Sequence, residues 1–214
     1  MRIGGLLPVS LSDFPGRVAA VVFTQGCNFR CPFCHNGELI PMHPPAHTQM
    51  SEDDLFVTLS ERATRLDGVM VTGGEPTLQP DLSGFLTRVR ALGLETGIET
   101  NGSRPDVLAE LISGRLLDFI AMDIKAPLDE RYTDLAGCLV DLDAVRATMS
   151  LLRARCTGRI SYEFRTTVAP QLDVDDLHDI AATLTPQDPW YLQEYLETPQ
   201  VDPSYAGRPS LSVD

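Results

Sequence analysis

Apolar and polar positions along this chain switch repeatedly between two periods. The run Val18-Ala-Ala-Val-Val-Phe23 is continuous, apolar and β-branched, the pattern of a strand buried on both faces. Ser51-Glu-Asp-Asp54 then opens an amphipathic helix to about residue 66, with Ser51 as N-cap and acids in the first turn. A second strand follows over 68–72 and a helix over 80–92, stopped by Gly93. The third strand covers 94–99. The next helix covers 104–112, with Pro105 in its first turn and Gly114 beyond its end. A fourth strand over 117–122, a long amphipathic helix over 142–155, a fifth strand over 160–168, a helix over 174–184 and a sixth strand from 190 to 193 complete the series.

Six strands alternating with helices predict a parallel α/β sheet with right-handed crossovers. A closed eight-unit barrel takes about 250 residues, and this chain has 214. The expected architecture is therefore a partial (β/α)6 barrel, open on one side. A flat doubly wound sheet is the alternative that periodicity does not separate from it. Residues 1–214 read as a single domain, with 1–17 an N-terminal extension and 198–214 a tail rich in turn formers, either disordered or covering the site.

Composition changes this picture less than charge does. Hydrophobic residues make up 43%, ordinary for a globular protein. Seventeen basic against 30 acidic residues leave a net charge of -13 with no basic cluster, which argues against a nucleic-acid partner. No run approaches the ~18 apolar residues of a membrane span. The N-terminus shows no charged-then-apolar leader, so a cytoplasmic location without membrane contact is expected. Arginine occurs sixteen times and lysine once, at Lys125. The two are not interchangeable at specific sites, which makes Lys125 a candidate for a position needing a compact ammonium.

The candidate chemistry falls on one rim. In parallel α/β folds, sites gather at the C-terminal ends of strands. After the first strand comes Gly26-Cys-Asn-Phe-Arg-Cys-Pro-Phe-Cys-His35, which places Cys27, Cys31 and Cys34 within eight residues. Three thiolates can hold three irons of a four-iron cluster and leave the fourth iron open. Clusters that only carry electrons usually have four cysteine ligands. A zinc site made of Cys27, Cys31, Cys34 and His35 is the alternative, although zinc sites usually draw on two separated pairs. Cys138 and Cys156 lie far away, form no disulfide framework and read as small buried hydrophobes.

Gly73-Gly74-Glu75-Pro76 follows the second strand. Its glycines admit positive φ and close approach of a ligand, and its carbonyls and the Glu75 carboxylate are acceptors suited to an ammonium. Glu99, Thr100 and Asn101 follow the third strand. Asp123 and Lys125 follow the fourth, two apart on extended chain and so on one side. Arg165 sits in a strand otherwise suited to burial and must be paired or reach a cavity. Gln193 ends the sixth strand. The histidines say less. His43 and His47 lie in a Pro-rich loop, His178 falls on a solvated helix face, and His35 either tunes the cluster or belongs to an ordinary loop. Neither a Ser-His-Asp arrangement nor a phosphate-binding Gly-rich loop is present.

The Cys27, Cys31, Cys34 spacing with Phe33 in the aromatic slot, together with GGEP, resembles the radical S-adenosylmethionine (SAM) superfamily. Further stretches resemble its short activating enzymes, above all those that activate anaerobic ribonucleoside-triphosphate reductase. These are Ser10-Leu-Ser-Asp-Phe-Pro-Gly16, Cys31-Pro-Phe-Cys-His-Asn36, Met122-Asp-Ile-Lys-Ala-Pro127, Phe164-Arg-Thr-Thr-Val168 and Trp190-Tyr-Leu-Gln193. The resemblance implies a [4Fe–4S] cluster on the three cysteines, with SAM chelating the open iron. It places the GGEP turn at the SAM amino group, Glu99, Thr100 and Asn101 at the methionine and ribose, and Lys125 and Arg165 at the carboxylate. Asp123 would orient that group or help hold a monovalent cation, Val168 would pack on the adenine, and Gln193 would meet the ribose. The implied reaction is one-electron cleavage of SAM to methionine and a 5′-deoxyadenosyl radical, which takes a hydrogen from a glycine of a partner enzyme. Flavodoxin or ferredoxin would supply the electron. A small-molecule enzyme of the 7-carboxy-7-deazaguanine synthase type is the alternative within this chemistry, but it often carries Asp-Thr where this chain has His35-Asn36. A non-catalytic zinc-binding interaction module is the alternative outside it.

Overall fold

A computed structural model describes residues 1–44, 50–199, 202–205 and 207–211; His47 lies outside them. One seven-stranded sheet has its strands in sequence order: β1 (Ile3–Ser10), β2 (Ala19–Thr24), β3 (Gly68–Gly73), β4 (Glu95–Thr100), β5 (Phe119–Asp123), β6 (Ser161–Val168) and β7 (Trp190–Glu194). The pairs from β2 to β7 are all parallel, as the alternating pattern predicts. Among the described residues six α-helices accompany them: α1 (Glu52–Arg62), α2 (Leu82–Ala91), α3 (Pro105–Ser113), α4 (Arg131–Ala136), α5 (Leu142–Arg155) and α6 (Val174–Ala182). Ser51 caps α1 by accepting from the Asp54 N–H, and the helix gives way to a 3-10 turn at Ala63–Arg65 before the expected end. Among the described residues no helix is long and apolar enough to cross a membrane.

Two elements depart from the sequence expectation. The stretch taken as an N-terminal extension contains β1, which pairs antiparallel with β2. Its two glycines and Pro8 depress strand propensity, but an edge strand tolerates them because one side of its ladder is unpaired. The other is α4, six residues long and too short to announce itself by a 3.6-residue period.

Because side chains alternate across a strand, each strand sends one set inward and one set outward. The outward sets pack with the helices into the larger core, which includes Val22, Val71, Ile98, Ile120, Phe164, Leu86, Leu108 and Met149. The inward sets divide by height. Near the strand starts, Ala19, Val21, Met70, Phe119 and Ala121 close an apolar floor with Phe14, whose ring lies 5.5 Å from that of Phe119. Two residues further on, the inward positions of β3, β5 and β6 turn polar, at Thr72, Asp123 and Arg165. The wall is thus dry below and charged above. Gly97 leaves room for Met70, since a Cβ there would stand 2.5 Å from the Met70 sulfur.

Asp188 fastens β6 and α5 to the loop before β7. It accepts from Arg153 Nη2 at 2.8 Å, Tyr162 Oη at 2.7 Å and the Thr185 N–H at 2.7 Å. Burial alone would raise its carboxyl, but these donors outweigh burial and hold it at about 2.

Two outcomes follow. Phe14→Ala removes the plug of the floor and is expected to lower the unfolding free energy by about 3–5 kcal/mol, read from the urea midpoint, with Phe14→Leu costing less. Asp188 has a folded pKa depressed from 3.8, so its contribution is complete above that value and is lost as pH falls towards 2. Asp188→Asn should be less stable at neutral pH and lose less than the wild type between pH 4 and 2 in acid-unfolding curves.

Candidate functional site

A cavity of about 700 Å³ opens at the C-terminal ends of the strands, within the range of small-molecule sites. The loop after β2 forms one side of it. The Gly26 N–H donates to Leu39 O at 2.7 Å and the Cys27 N–H to Ile40 O at 3.1 Å, which pins the start of the loop. The Arg30 N–H donates to Ala136 O at 2.8 Å, and Cys138 Sγ donates to Asn28 O at 3.4 Å. Cys27, Cys31 and Cys34 all line the cavity beside Phe33. Burial pushes the Cys27 and Cys31 thiols up to about 12 and raises Cys34 as well. Such thiols hold their protons until a metal centre replaces them, so loading the site releases protons.

The glycine turn after β3 sits directly on this loop. The Glu75 N–H donates to Gly26 O at 2.8 Å, and a Cβ on Gly74 would lie 2.2 Å from that same oxygen. Gly73 has φ of 105°, which side chains rarely adopt. The Glu75 carboxylate is bonded within the protein. Its Oε1 accepts from the Thr77 N–H at 3.0 Å, from Thr77 Oγ1 and from Thr100 Oγ1 at 2.8 Å. Its Oε2 accepts from the Asn101 N–H at 2.8 Å. Burial raises this carboxyl, opposed by those four donors. Glu75 is therefore the tie between the β3 and β4 loops. The Asn101 amide in turn donates to Asn28 Oδ1 at 2.9 Å, and the Asn28 amide donates to Ser103 at 2.9 Å, which couples the cysteine loop to β4.

Opposite the cysteines stands a charged wall. Lys125 Nζ lies 2.7 Å from Asp123 and 6.0 Å from the centre of the Phe33 ring. Burial acts to lower the Lys125 pKa, but the Asp123 charge outweighs it and the net shift is upward. Arg165 is shared between two carboxylates: its Nε donates to Glu163 at 2.5 Å and its Nη1 to Glu99. The second Glu99 oxygen accepts from Thr72 Oγ1 at 2.5 Å. Burial raises the Glu99 carboxyl and Arg165 opposes that shift.

Of the residues singled out from sequence, Cys27, Cys31, Cys34, Phe33, Gly73, Gly74, Glu75, Glu99, Thr100, Asn101, Asp123, Lys125, Arg165 and Gln193 all line this one cavity. Pro76 and Val168 do not. Pro76 is buried in the 3-10 turn that follows Glu75. Val168 is buried and three residues from Arg165 on the same strand, so by alternation it lies on the face of Phe164 and Thr166 and not on that of Arg165. The same alternation brings in Glu163 and Thr167, and counting by twos from Arg165 would have found both. Ser12, Asp13 and Pro15, also in the lining, carried no signal beyond the resemblance.

The other expectations sort similarly. Cys156 is buried, whereas Cys138 is half-buried against the cysteine loop. His43 and His178 are exposed. The His35 ring packs against Tyr195 at 6.0 Å, and the described part of the tail lies on the loop, with the Asp202 N–H donating to Pro32 O at 2.9 Å. Among the described residues, buried His35 Nε2, Tyr195 Oη and Tyr205 Oη find no hydrogen-bond partner. Among the described residues no three His, Cys, Asp or Glu side chains converge on a single ion. The three thiols instead share one cavity lining beside Phe33, a donor set that suits a multi-iron cluster with one open corner better than a single tetrahedral zinc.

Comparison with known proteins agrees with that donor set. Residues 21–184 match the family model described as the radical SAM superfamily. A protein of Methanocaldococcus jannaschii, provisionally named a glycyl-radical enzyme activating enzyme, is 31% identical over 196 residues, 90% of this chain and 79% of its own length. The 7-carboxy-7-deazaguanine synthase of Halobacterium salinarum is 40% identical, but over 88 residues, 41% of this chain and 33% of that enzyme. The crystal structure of Streptococcus suis SuiB bound to SAM shares the fold at a TM-score of 0.65 and 15% identity. That alignment covers 88% of this chain and 42% of SuiB, so this chain spans less than half of SuiB.

Glu75→Gln tests the tie. One amide hydrogen-bond donor would face a backbone N–H or a hydroxyl, and the variant is expected to lose about 1–3 kcal/mol of stability in the protein without cofactors. An unchanged unfolding midpoint would mean that Glu75 does not hold the two loops together.

Proposed function

This chain belongs to the radical SAM superfamily, and on that premise we propose that it installs a glycyl radical on a partner enzyme, with an anaerobic ribonucleoside-triphosphate reductase the first partner to test. The superfamily uses a [4Fe–4S] cluster and SAM. The observation that carries the finer reading is the match to the M. jannaschii activating enzyme along nine-tenths of this chain. The deazaguanine synthase match is higher in identity but confined to two-fifths of it, and His35-Asn36 stands in place of the Asp-Thr expected of that type.

Each part of the cavity then has a task. Cys27, Cys31 and Cys34 would hold three irons and leave the fourth to SAM. The Gly73 and Gly74 carbonyls would receive the SAM ammonium, and Lys125 with Arg165 would face its carboxylate. When bound, the cluster and SAM supply an electron and a 5′-deoxyadenosyl radical that takes a hydrogen atom. The protein supplies position and dryness. Phe14, Met70 and Phe119 seal the cavity from below, so solvent has no route to the radical through the floor. From the side, β1 and β7 are the two sheet edges and do not pair with each other. Ser12, Asp13 and Pro15 on one lip and Tyr191 and Leu192 on the other border the cavity. That gap suits an incoming peptide loop carrying the target glycine. Flavodoxin or ferredoxin is the proposed electron donor.

Anaerobic reconstitution with iron and sulfide, followed by dithionite and SAM, should give 5′-deoxyadenosine, and Cys31→Ala should give none. Adding the reductase should then produce a glycyl radical doublet in the electron paramagnetic resonance spectrum. Deoxyadenosine without a doublet on any glycyl radical enzyme of the same organism would overturn the activating role and leave the SAM chemistry standing.

A further inference from the structure

The charges around the cavity do not balance. Asp13, Glu75, Glu99, Asp123 and Glu163 line it against two cations, Lys125 and Arg165. Most of these carboxylates are occupied. Asp13 is held by Ser10 and Ser12 at the lip. Glu75 receives four hydrogen bonds. Glu99 accepts on both oxygens, and Asp123 has Lys125 as its own counterion. Glu163 differs. It has only a share in Arg165, through Oε1. Its Oε2 takes no hydrogen bond from any described residue, although the side chain is 11% exposed and belongs to the cavity wall.

A buried carboxylate with half a counterion is costly unless a cation completes it. The ligand expected in this cavity brings one. SAM carries a sulfonium and an ammonium against one carboxylate, a net charge of +1. The ammonium and carboxylate have partners of their own in the glycine turn, Lys125 and Arg165. The sulfonium is left without a partner, and on the inner wall Glu163 is the carboxylate that shares its one cation and keeps an oxygen taken by no described donor. We propose that Glu163 is the residue that recognises the sulfonium charge of SAM and discriminates against its uncharged thioether analogue.

This assignment rests on SAM binding in this cavity and not on the identity of the partner enzyme. It has a consequence for turnover. When one electron enters and the S–C5′ bond breaks, the sulfonium becomes the neutral thioether of methionine. The adenosyl fragment, once it has taken a hydrogen atom, is neutral 5′-deoxyadenosine. The attraction to Glu163 is present for the substrate and absent for both products, so the same carboxylate favours their release.

The test is equilibrium binding to the reconstituted holoenzyme without reductant, using SAM, S-adenosylhomocysteine and sinefungin, which replaces the sulfonium with a protonated amine. The wild type should prefer SAM to S-adenosylhomocysteine by roughly tenfold or more, the scale of one partly screened charge contact, and sinefungin should follow SAM. Glu163→Gln keeps the acceptor for Arg165 Nε and removes the charge. It should weaken SAM and sinefungin while leaving S-adenosylhomocysteine unchanged, and Glu163→Asp should retain the wild-type preference. Equal weakening of all three ligands by Glu163→Gln would overturn the proposal in favour of a role in positioning Arg165. So would a wild type that binds SAM and S-adenosylhomocysteine alike, a result that needs no variant to fold. A preserved SAM preference in an enzyme that yields no glycyl radical would count against the activating role alone.

Discussion

The backbone contact between Gly26 and Gly74 is the constraint on which the site depends. The Glu75 N–H reaches Gly26 O at 2.8 Å, and no side chain fits between the two chains. Bare backbone at Gly74 lets the loop that ends β2 and the loop that ends β3 touch at the cavity mouth. Everything placed by those loops inherits the contact. Cys27 follows Gly26 directly, and Glu75 follows Gly74. Through Glu75 the fixed geometry passes to Thr100 and Asn101, and through Asn28 it returns to the cysteine loop. The circuit closes on itself, so the thiols, the glycine carbonyls and the β4 end are positioned together.

The sheet gives this circuit its setting through a change in polarity with height. Inward positions near the strand starts are apolar and packed around Phe14, whereas those at the strand ends carry Thr72, Glu99, Asp123, Glu163 and Arg165. The apolar floor keeps water out from below, which strengthens the electrostatic interactions beside it. It also makes the charge count consequential. Arg165 serves two carboxylates and Lys125 serves one, so the wall is acidic before any ligand enters. A radical reaction gains from the same arrangement, since a closed floor keeps solvent from the reactive carbon.

Much of this is legible in the amino-acid sequence. Short strand-like runs between helical periods marked six strands, most plainly β2 and β3, where burial on both faces makes the run apolar. The cysteine spacing pointed to three thiols on one loop, because residues within a window of eight need only one loop to bring them together. The position of the polar motifs after each strand fixed one common rim. Where the reading stopped, the cause is identifiable. β1 hides behind Gly4, Gly5 and Pro8, and α4 is too short to show a period. Alternation alone separates Val168 from Glu163 and puts only Glu163 on the face of Arg165.

What sequence by itself determined was local: strand or helix, loop or turn, which residue types sit near one another along the chain. Periodicity and spacing are properties of neighbours, so they carry that information directly. Tertiary structure decided which partners each group finds across the fold. Glu75 meets Asn101 from 26 residues away, Asn28 meets Asn101 from 73, and Arg165 meets Glu99 from 66. Those separations erase any local signal. Only when parallel strands are laid side by side do their ends converge, and only then does it emerge that Glu75 is occupied in joining loops while Glu163 keeps an oxygen open to the cavity.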